Sequence, residues 1–63
     1  MKKGKVKFFN NSKGFGFILD HETGTDIFVH VSGLKQDIRE GDEVVFDVTQ
    51  GKKGLNAVNV RLA

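Results

Sequence analysis

The sequence predicts an all-β domain whose five short strands close into a small barrel. Three observations lead there. Glycine-containing breaks divide the 63 residues into five runs of strand type. No window carries the 3.6-residue period of an amphipathic helix longer than a turn or two. A lone sheet would have no second layer, and its open edges would invite pairing with other chains, so closure solves both problems.

The first strand is placed at Lys3 to Asn10. Lys5 and Lys7 alternate with Val6, and then Phe8 and Phe9 break the pattern, because two consecutive rings cannot share one face of a regular strand. Alternation alone does not choose between those two rings. Asn10 to Gly14 is a turn by composition. The second strand, Phe15 to Asp20, puts Phe15, Phe17 and Leu19 on one face and Gly16 and Ile18 on the other. His21 to Thr25 reads as a polar hairpin turn. In the third strand, Asp26 to His30, Ile27 and Val29 form an apolar face opposite Asp26, Phe28 and His30.

Val31 to Glu40 is irregular, with at most one helical turn, and leads into Gly41-Asp42. The fourth strand, Glu43 to Thr49, turns Val44, Phe46 and Val48 inward. Gln50 to Gly54 is a basic loop. The fifth strand, Leu55 to Leu62, is assigned Val58, Val60 and Leu62 inward and Ala57, Asn59 and Arg61 outward. The expected core is then Val6, Ile18, Ile27, Val29, Val44, Phe46, Val48, Val58 and Val60, with Phe9 as a marginal member.

Composition narrows the function classes. A chain this short forms one domain of marginal stability. It has no cysteine, which excludes disulfides and thiolate metal sites and favours a reducing, cytoplasmic home. No apolar run approaches the roughly 18–20 residues of a membrane span, and Met-Lys-Lys-Gly-Lys does not read as a signal peptide. The net charge is only +2, but it is unevenly spread. Residues 1–19 hold Lys2, Lys3, Lys5, Lys7 and Lys13 and no acid, whereas the remainder holds five bases and eight acids. All six aromatics are Phe, and five of them fall in the first 28 residues, a span that overlaps that cationic stretch.

The two distributions meet in Lys13-Gly14-Phe15-Gly16-Phe17-Ile18. If Ile18, Ile27 and Val29 face in, then Phe15, Phe17, Phe28 and His30 face out. The aliphatic set fills a small core without them. Exposed contiguous rings require an explanation. Beside lysines, they form a surface for stacking bases with an electrostatic track for the backbone, as in proteins that hold single strands with little sequence choice.

The same residues resemble a known family. Lys13 to Ile18 resembles the first ribonucleoprotein motif and Asp26 to His30 the second, in the spacing of bacterial cold shock proteins. Gly4 to Asn10 is similar to that family's opening strand, and Gly54 to Val60 to its last. RNA-recognition motif domains share the first motif but are longer and need two helices. The resemblance implies a single cold-shock domain over residues 1–63, a five-stranded antiparallel barrel of the OB-fold type. It also implies single-stranded RNA and single-stranded DNA as partners, and a role as RNA chaperone or regulator of transcription or translation.

Carried over by position, Phe8, Phe15, Phe17, Phe28 and His30 would stack on bases. Lys7 and Asp26 would meet base edges, and Lys13 and Lys53 would serve the backbone or neighbouring bases. A kink in the first strand would turn Phe9 toward the core. Three departures shrink the platform: Phe8 stands where relatives most often place Trp, Val31 where many place Phe, and Ser32 to Glu40 is short and has no aromatic.

Other chemistries fit less well. His30 has only His21 as a possible imidazole partner, which leaves no catalytic or metal-binding set, so neither an enzyme, a cofactor nor a small-molecule substrate is expected. Asp20, Glu22 and Asp26 match no calcium-loop spacing and read as solvated turn acids. Gly14-Phe15-Gly16 precedes no helix and is no dinucleotide fingerprint. A peptide-binding barrel would favour Tyr and Trp, which are absent. The expected state is a monomer, with a weak or swapped dimer as the alternative that an exposed aromatic sheet allows.

Overall fold

In the computed structural model, which describes residues 1–51 and 54–63, five strands form a closed barrel. They are β1 (Lys2–Asn10), β2 (Phe15–Asp20), β3 (Asp26–His30), β4 (Glu43–Gly51) and β5 (Gly54–Leu62). Their order around the barrel is β1-β2-β3-β5-β4. The barrel expectation holds, with one refinement: the β3–β5 seam is parallel, pairing Phe28 with Asn56 and Val29 with Ala57, while the other neighbours are antiparallel. A parallel seam needs a long connection, and the segment after β3 and the β4 strand supply it.

Val6, Ile18, Ile27, Val29, Val44, Phe46 and Val60 are buried as the alternation requires. Phe9, Leu34 and Val48 pack against that cluster from the periphery. The irregular connection adds Ile38, which is 3% exposed and has no periodic signal in the sequence. The connection opens with a single 3-10 turn, Val31–Gly33. It then runs beside β5: Leu34 bridges Val60, the Lys35 N–H donates to the Val60 carbonyl at 2.7 Å, and the Gln36 side chain accepts from the Leu62 N–H at 2.9 Å. A connection tied down in this way can deliver a core residue, because its backbone polar groups find partners.

Two bulges break the simple alternation. In β1, Val6 pairs with Ile18 but Phe8 with Phe17, so Lys7 is an extra residue. The inserted residue reverses the phase, which sends Phe8 outward and Phe9 toward the core. In β5, Val45 pairs with Arg61 and Asp47 with Val58, which leaves one extra residue around Asn59. Asn59 adopts φ 54°, the left-handed conformation that asparagine tolerates, and its Nδ2 donates to Asp47 Oδ2 at 3.2 Å.

This second bulge corrects the expected facing of β5. Ala57, assigned outward, is 2% exposed inside the barrel, three residues from buried Val60. Val58, assigned inward, is only partly covered. Leu62, also assigned inward, ends the strand at 44% exposure. Strict period-two counting fails because one residue is spent at Asn59.

Asp20 departs from its reading as a solvated acid. It is 1% exposed at the end of β2. Its carboxylate accepts the Glu22 N–H at 2.8 Å and lies 3.7 Å from the Lys2 ammonium. Burial pushes its carboxyl up, but the Glu22 N–H, the Lys2 charge and hydrogen bonds from Thr23 together outweigh burial and hold it below its ordinary value. Asp20 thus closes the β2–β3 turn, where the Gly24 N–H also reaches the Asp20 carbonyl at 2.7 Å.

A carboxyl depressed in the folded state contributes stability above its unfolded pKa of about 4 and loses that contribution as pH falls through the folded value. Asp20→Asn is therefore expected to lower stability at neutral pH by about 1.5–3 kcal/mol, the range for hydrogen bonds to a charged group. The gap from the parent protein should narrow as the pH drops below about 4. Thermal melts across pH check this, and a gap of constant size would contradict it. At the β5 bulge, Asn59→Val should cost about 1–2 kcal/mol for its left-handed backbone, and Asn59→Gly should be much milder in urea titration.

Candidate nucleic-acid interface

The β1 bulge and the pairing of β1, β2 and β3 assemble one outer surface. Phe8 lies opposite Phe17, which lies opposite Phe28. The neighbouring row is Asn10, Phe15 and His30. On the other side Lys5, Leu19 and Asp26 are in register. Four rings therefore meet outside a barrel whose core is closed without them.

Their geometry is specific. Phe8 and Phe17 are nearly parallel, with 23° between planes and centroids 6.3 Å apart. Phe15 and Phe28 form a second near-parallel pair at 21° and 5.9 Å. The two pairs meet edge to face, Phe8 with Phe15 at 74° and Phe17 with Phe28 at 76°. Both arrangements are favoured by the ring quadrupole, so the rings hold one another in place without a ligand. Phe8 is 38% exposed and the other three are half-buried. Their free faces and edges remain open to a planar partner.

Local backbone features set these positions. Gly16 faces inward, where a Cβ would lie 2.3 Å from the Phe8 carbonyl and 2.7 Å from the Phe9 ring. The glycine thus serves the core side, letting Phe9 lie beneath the platform, in addition to leaving Phe15 and Phe17 uncrowded. In the β1–β2 turn, Asn10 Oδ1 accepts the Lys13 N–H at 3.1 Å, and the Gly14 N–H donates to the Asn10 carbonyl at 2.8 Å. Gly14, at φ 75°, turns its own carbonyl to the Val31 N–H at 2.8 Å. That bond ties the start of β2 to the end of β3, beside the Phe15 and His30 pair.

Polar groups border the rings. Lys7 Nζ bonds Asp26 Oδ2 at 3.1 Å, so two residues proposed from the resemblance form an exposed ion pair at one end of the platform. Such a pair contributes at most about 1 kcal/mol and opens readily to a competing partner. Lys13 lies exposed in the turn at the other end. His30 Nδ1 is held by Ser32, from which it accepts the N–H at 3.2 Å. Lys53, the remaining residue of the expected set, lies outside the described residues.

The surface also includes residues that sequence reasoning passed over. Asn10 extends the Phe15 row, and Asn56 extends the Phe28 row across the parallel seam. Asn56 had no sequence signal, since only the tertiary closure of β3 on β5 brings it there. Leu19 was placed on the correct face, in register with Lys5 and Asp26 at the end of the surface that carries the Lys7–Asp26 pair. Among the described residues, no group of three or more His, Cys, Asp or Glu side chains is arranged to hold a metal.

Known proteins are similar to this chain in sequence and in fold. The family model described as the 'Cold-shock' DNA-binding domain matches residues 2–63. The chain is 52% identical over 61 residues to Cold shock-like protein CspB of Bacillus cereus, covering 90% of this chain and 92% of that protein. It is 49% identical over an alignment of 67 residues to Cold shock protein CspC of Bacillus subtilis (strain 168), with both chains covered in full. Among solved structures, "drosophila Unr CSD456" superimposes with a TM-score of 0.81 at 26% identity, over 98% of this chain and 26% of that one. A closed five-stranded barrel, an aromatic outer face and full-length similarity together place this chain in the cold-shock domain family of nucleic-acid-binding proteins.

Proposed function

We propose that this protein binds single-stranded RNA and single-stranded DNA with low sequence selectivity. The observation that carries the reading is the ring quartet, Phe8, Phe15, Phe17 and Phe28, outside a core that does not need it. Unpaired bases stack on those rings and on His30, and every base offers a face for this, which is why selectivity is low. In a duplex those faces are already stacked on neighbours, so the platform discriminates against paired strands. Lys7 and Asp26 exchange their mutual ion pair for contacts to base edges. Lys13, and Lys53 in the basic hairpin, approach the backbone.

The reading involves no bond making and no cofactor. An RNA-chaperone effect follows from linkage: a protein that binds only the unpaired state shifts a hairpin toward melting by an amount set by its concentration over Kd. The same act on a transcript in the cytoplasm provides a route to transcriptional or translational regulation. The binding unit is a monomeric domain over residues 1–63. Because Phe8 is a smaller ring than the Trp that relatives most often place there, and the rings that many carry at 31 and in the 32–40 segment are absent, Phe15, Phe17 and Phe28 take a larger share of binding.

Titration of a fluorescently labelled single-stranded oligonucleotide and its matched duplex, repeated across salt concentrations, tests the reading directly. Single-strand preference and affinity falling with rising salt are expected; equal affinity for the duplex, or none for either, would refute it. In the same assay Phe15→Ala and Phe28→Ala should each weaken binding by roughly 1–3 kcal/mol with the circular dichroism spectrum and melting cooperativity retained. Loss of the fold in both variants would make those rings structural.

A further inference from the structure

The hydrogen bonds at the end of β3 determine which nitrogen of His30 carries a proton. The Ser32 backbone N–H points at Nδ1 over 3.2 Å. A backbone N–H can only donate, so Nδ1 must present its lone pair. The Ser32 hydroxyl, 3.0 Å from the same nitrogen, then supports it as a second donor. In the neutral ring the proton is left on Nε2. His30 is exposed and in register with Phe15, so that N–H emerges at the rim of the ring quartet.

We propose that Ser32 is a positioning residue that locks His30 in the Nε2–H tautomer, making His30 a hydrogen-bond donor to an oxygen acceptor of the bound strand. This rests on the single-strand reading above and deepens it. His30 then differs in kind from the phenylalanines: its ring edge, directed by Ser32, counts for more than its ring face. The acceptor is an oxygen of the nucleic acid, either a base carbonyl or a phosphate oxygen.

The turn itself favours the lock. His30 caps the 3-10 segment with extended backbone, φ −106° and ψ 152°. Val31 is anchored to the Gly14 carbonyl, and the Leu34 N–H returns to the Val31 carbonyl at 3.2 Å. Gly33 sits so close to the Ala57 carbonyl that a Cβ would approach it to 2.8 Å. Ser32 is therefore held from both sides, and its N–H cannot easily be redirected.

Long-range proton–nitrogen NMR correlation on the free protein, at a pH where the imidazole is neutral, reads the tautomer without any ligand. The expected pattern is a pyridine-type Nδ1 and a pyrrole-type Nε2; the reverse pattern, or rapid averaging of both, overturns the lock. Ser32→Ala should move the pattern toward averaging and Ser32→Thr should restore it.

Binding of a labelled thymine oligonucleotide then tests the donor role. His30→Phe keeps a ring and loses the donor, and should weaken binding about two- to twelve-fold, the factor of one net hydrogen bond. His30→Gln, which places an N–H₂ near the Nε2 position, should recover much of that loss, and His30→Asn should not. Unchanged or tighter binding by His30→Phe refutes the donor role, and it leaves the stacking reading standing if Phe15→Ala and Phe28→Ala still lose affinity. A strand of difluorotoluene nucleotides, which keep the shape and stacking face of thymine but carry no carbonyl oxygen, identifies the acceptor: a vanished His30→Phe penalty assigns a base carbonyl, and a persisting penalty assigns a phosphate oxygen.

Discussion

The interior volume of a five-stranded barrel is the constraint from which the rest of this structure follows. Each strand has one face to give to that interior, and the space is small. Val6, Ile18, Ile27, Val29, Val44, Phe46 and Val60, completed by Ala57 and Ile38, occupy it. Buried aliphatic side chains of this size contribute about 1.5–3 kcal/mol each, which a chain this short requires against its conformational entropy. Once they are in place, no room is left for Phe8, Phe15, Phe17 or Phe28. The aromatic outer face is thus a consequence of a core filled by other residues, and its rings are stabilised by one another through alternating parallel and edge-to-face contacts.

Two extra residues adjust this simple scheme. The bulge at Lys7 reverses the facing of β1, so one of two adjacent rings joins the platform and the other supports it from below. The bulge at Asn59 does the same in β5 and lets Ala57 and Val60 both face the interior. Bulges are the usual means by which closed sheets acquire curvature and re-aim side chains. Here the first one builds the candidate site, and the second closes the barrel that carries it. Gly16 and Gly4 serve the same end by allowing close approach: a Cβ at Gly4 would lie 2.5 Å from the Leu19 carbonyl.

Charge is arranged in two distinct ways. At the structural end, Lys2 meets Asp20 and Glu22, and His21 Nε2 lies 2.9 Å from Glu43 Oε1, so the hairpin after β2 is tied to β1 and β4. Asp20 is the buried member, and its charge is sustained by backbone N–H groups as well as by Lys2. At the aromatic face, Lys7 and Asp26 pair only in the open, and Lys13 stands exposed in a turn. Exposed charges of this kind add little to stability. They remain available to a charged ligand, and the family membership of the chain gives that availability its context.

Much of this protein was legible in its sequence, for a physical reason. Side-chain alternation is a local property, so the opposite faces of β2 and β3 could be read directly from Phe15 to Asp20 and from Asp26 to His30. The pairing of lysines with rings, and hence the class of ligand, followed from composition and order alone. Tertiary structure decided what local pattern cannot encode. The choice between Phe8 and Phe9 came from an unpaired residue in β1, and the resemblance to a family supplied it where alternation could not. The facing of Ala57, Val58 and Leu62 depended on a left-handed Asn59, whose bulge exists only in register with β4. Ile38 entered the core from an aperiodic segment, Asp20 was buried beside a lysine far away in sequence, and Asn56 reached the aromatic row through a parallel seam. Each of these is set by which strands become neighbours on closure, information that is distributed over the whole chain.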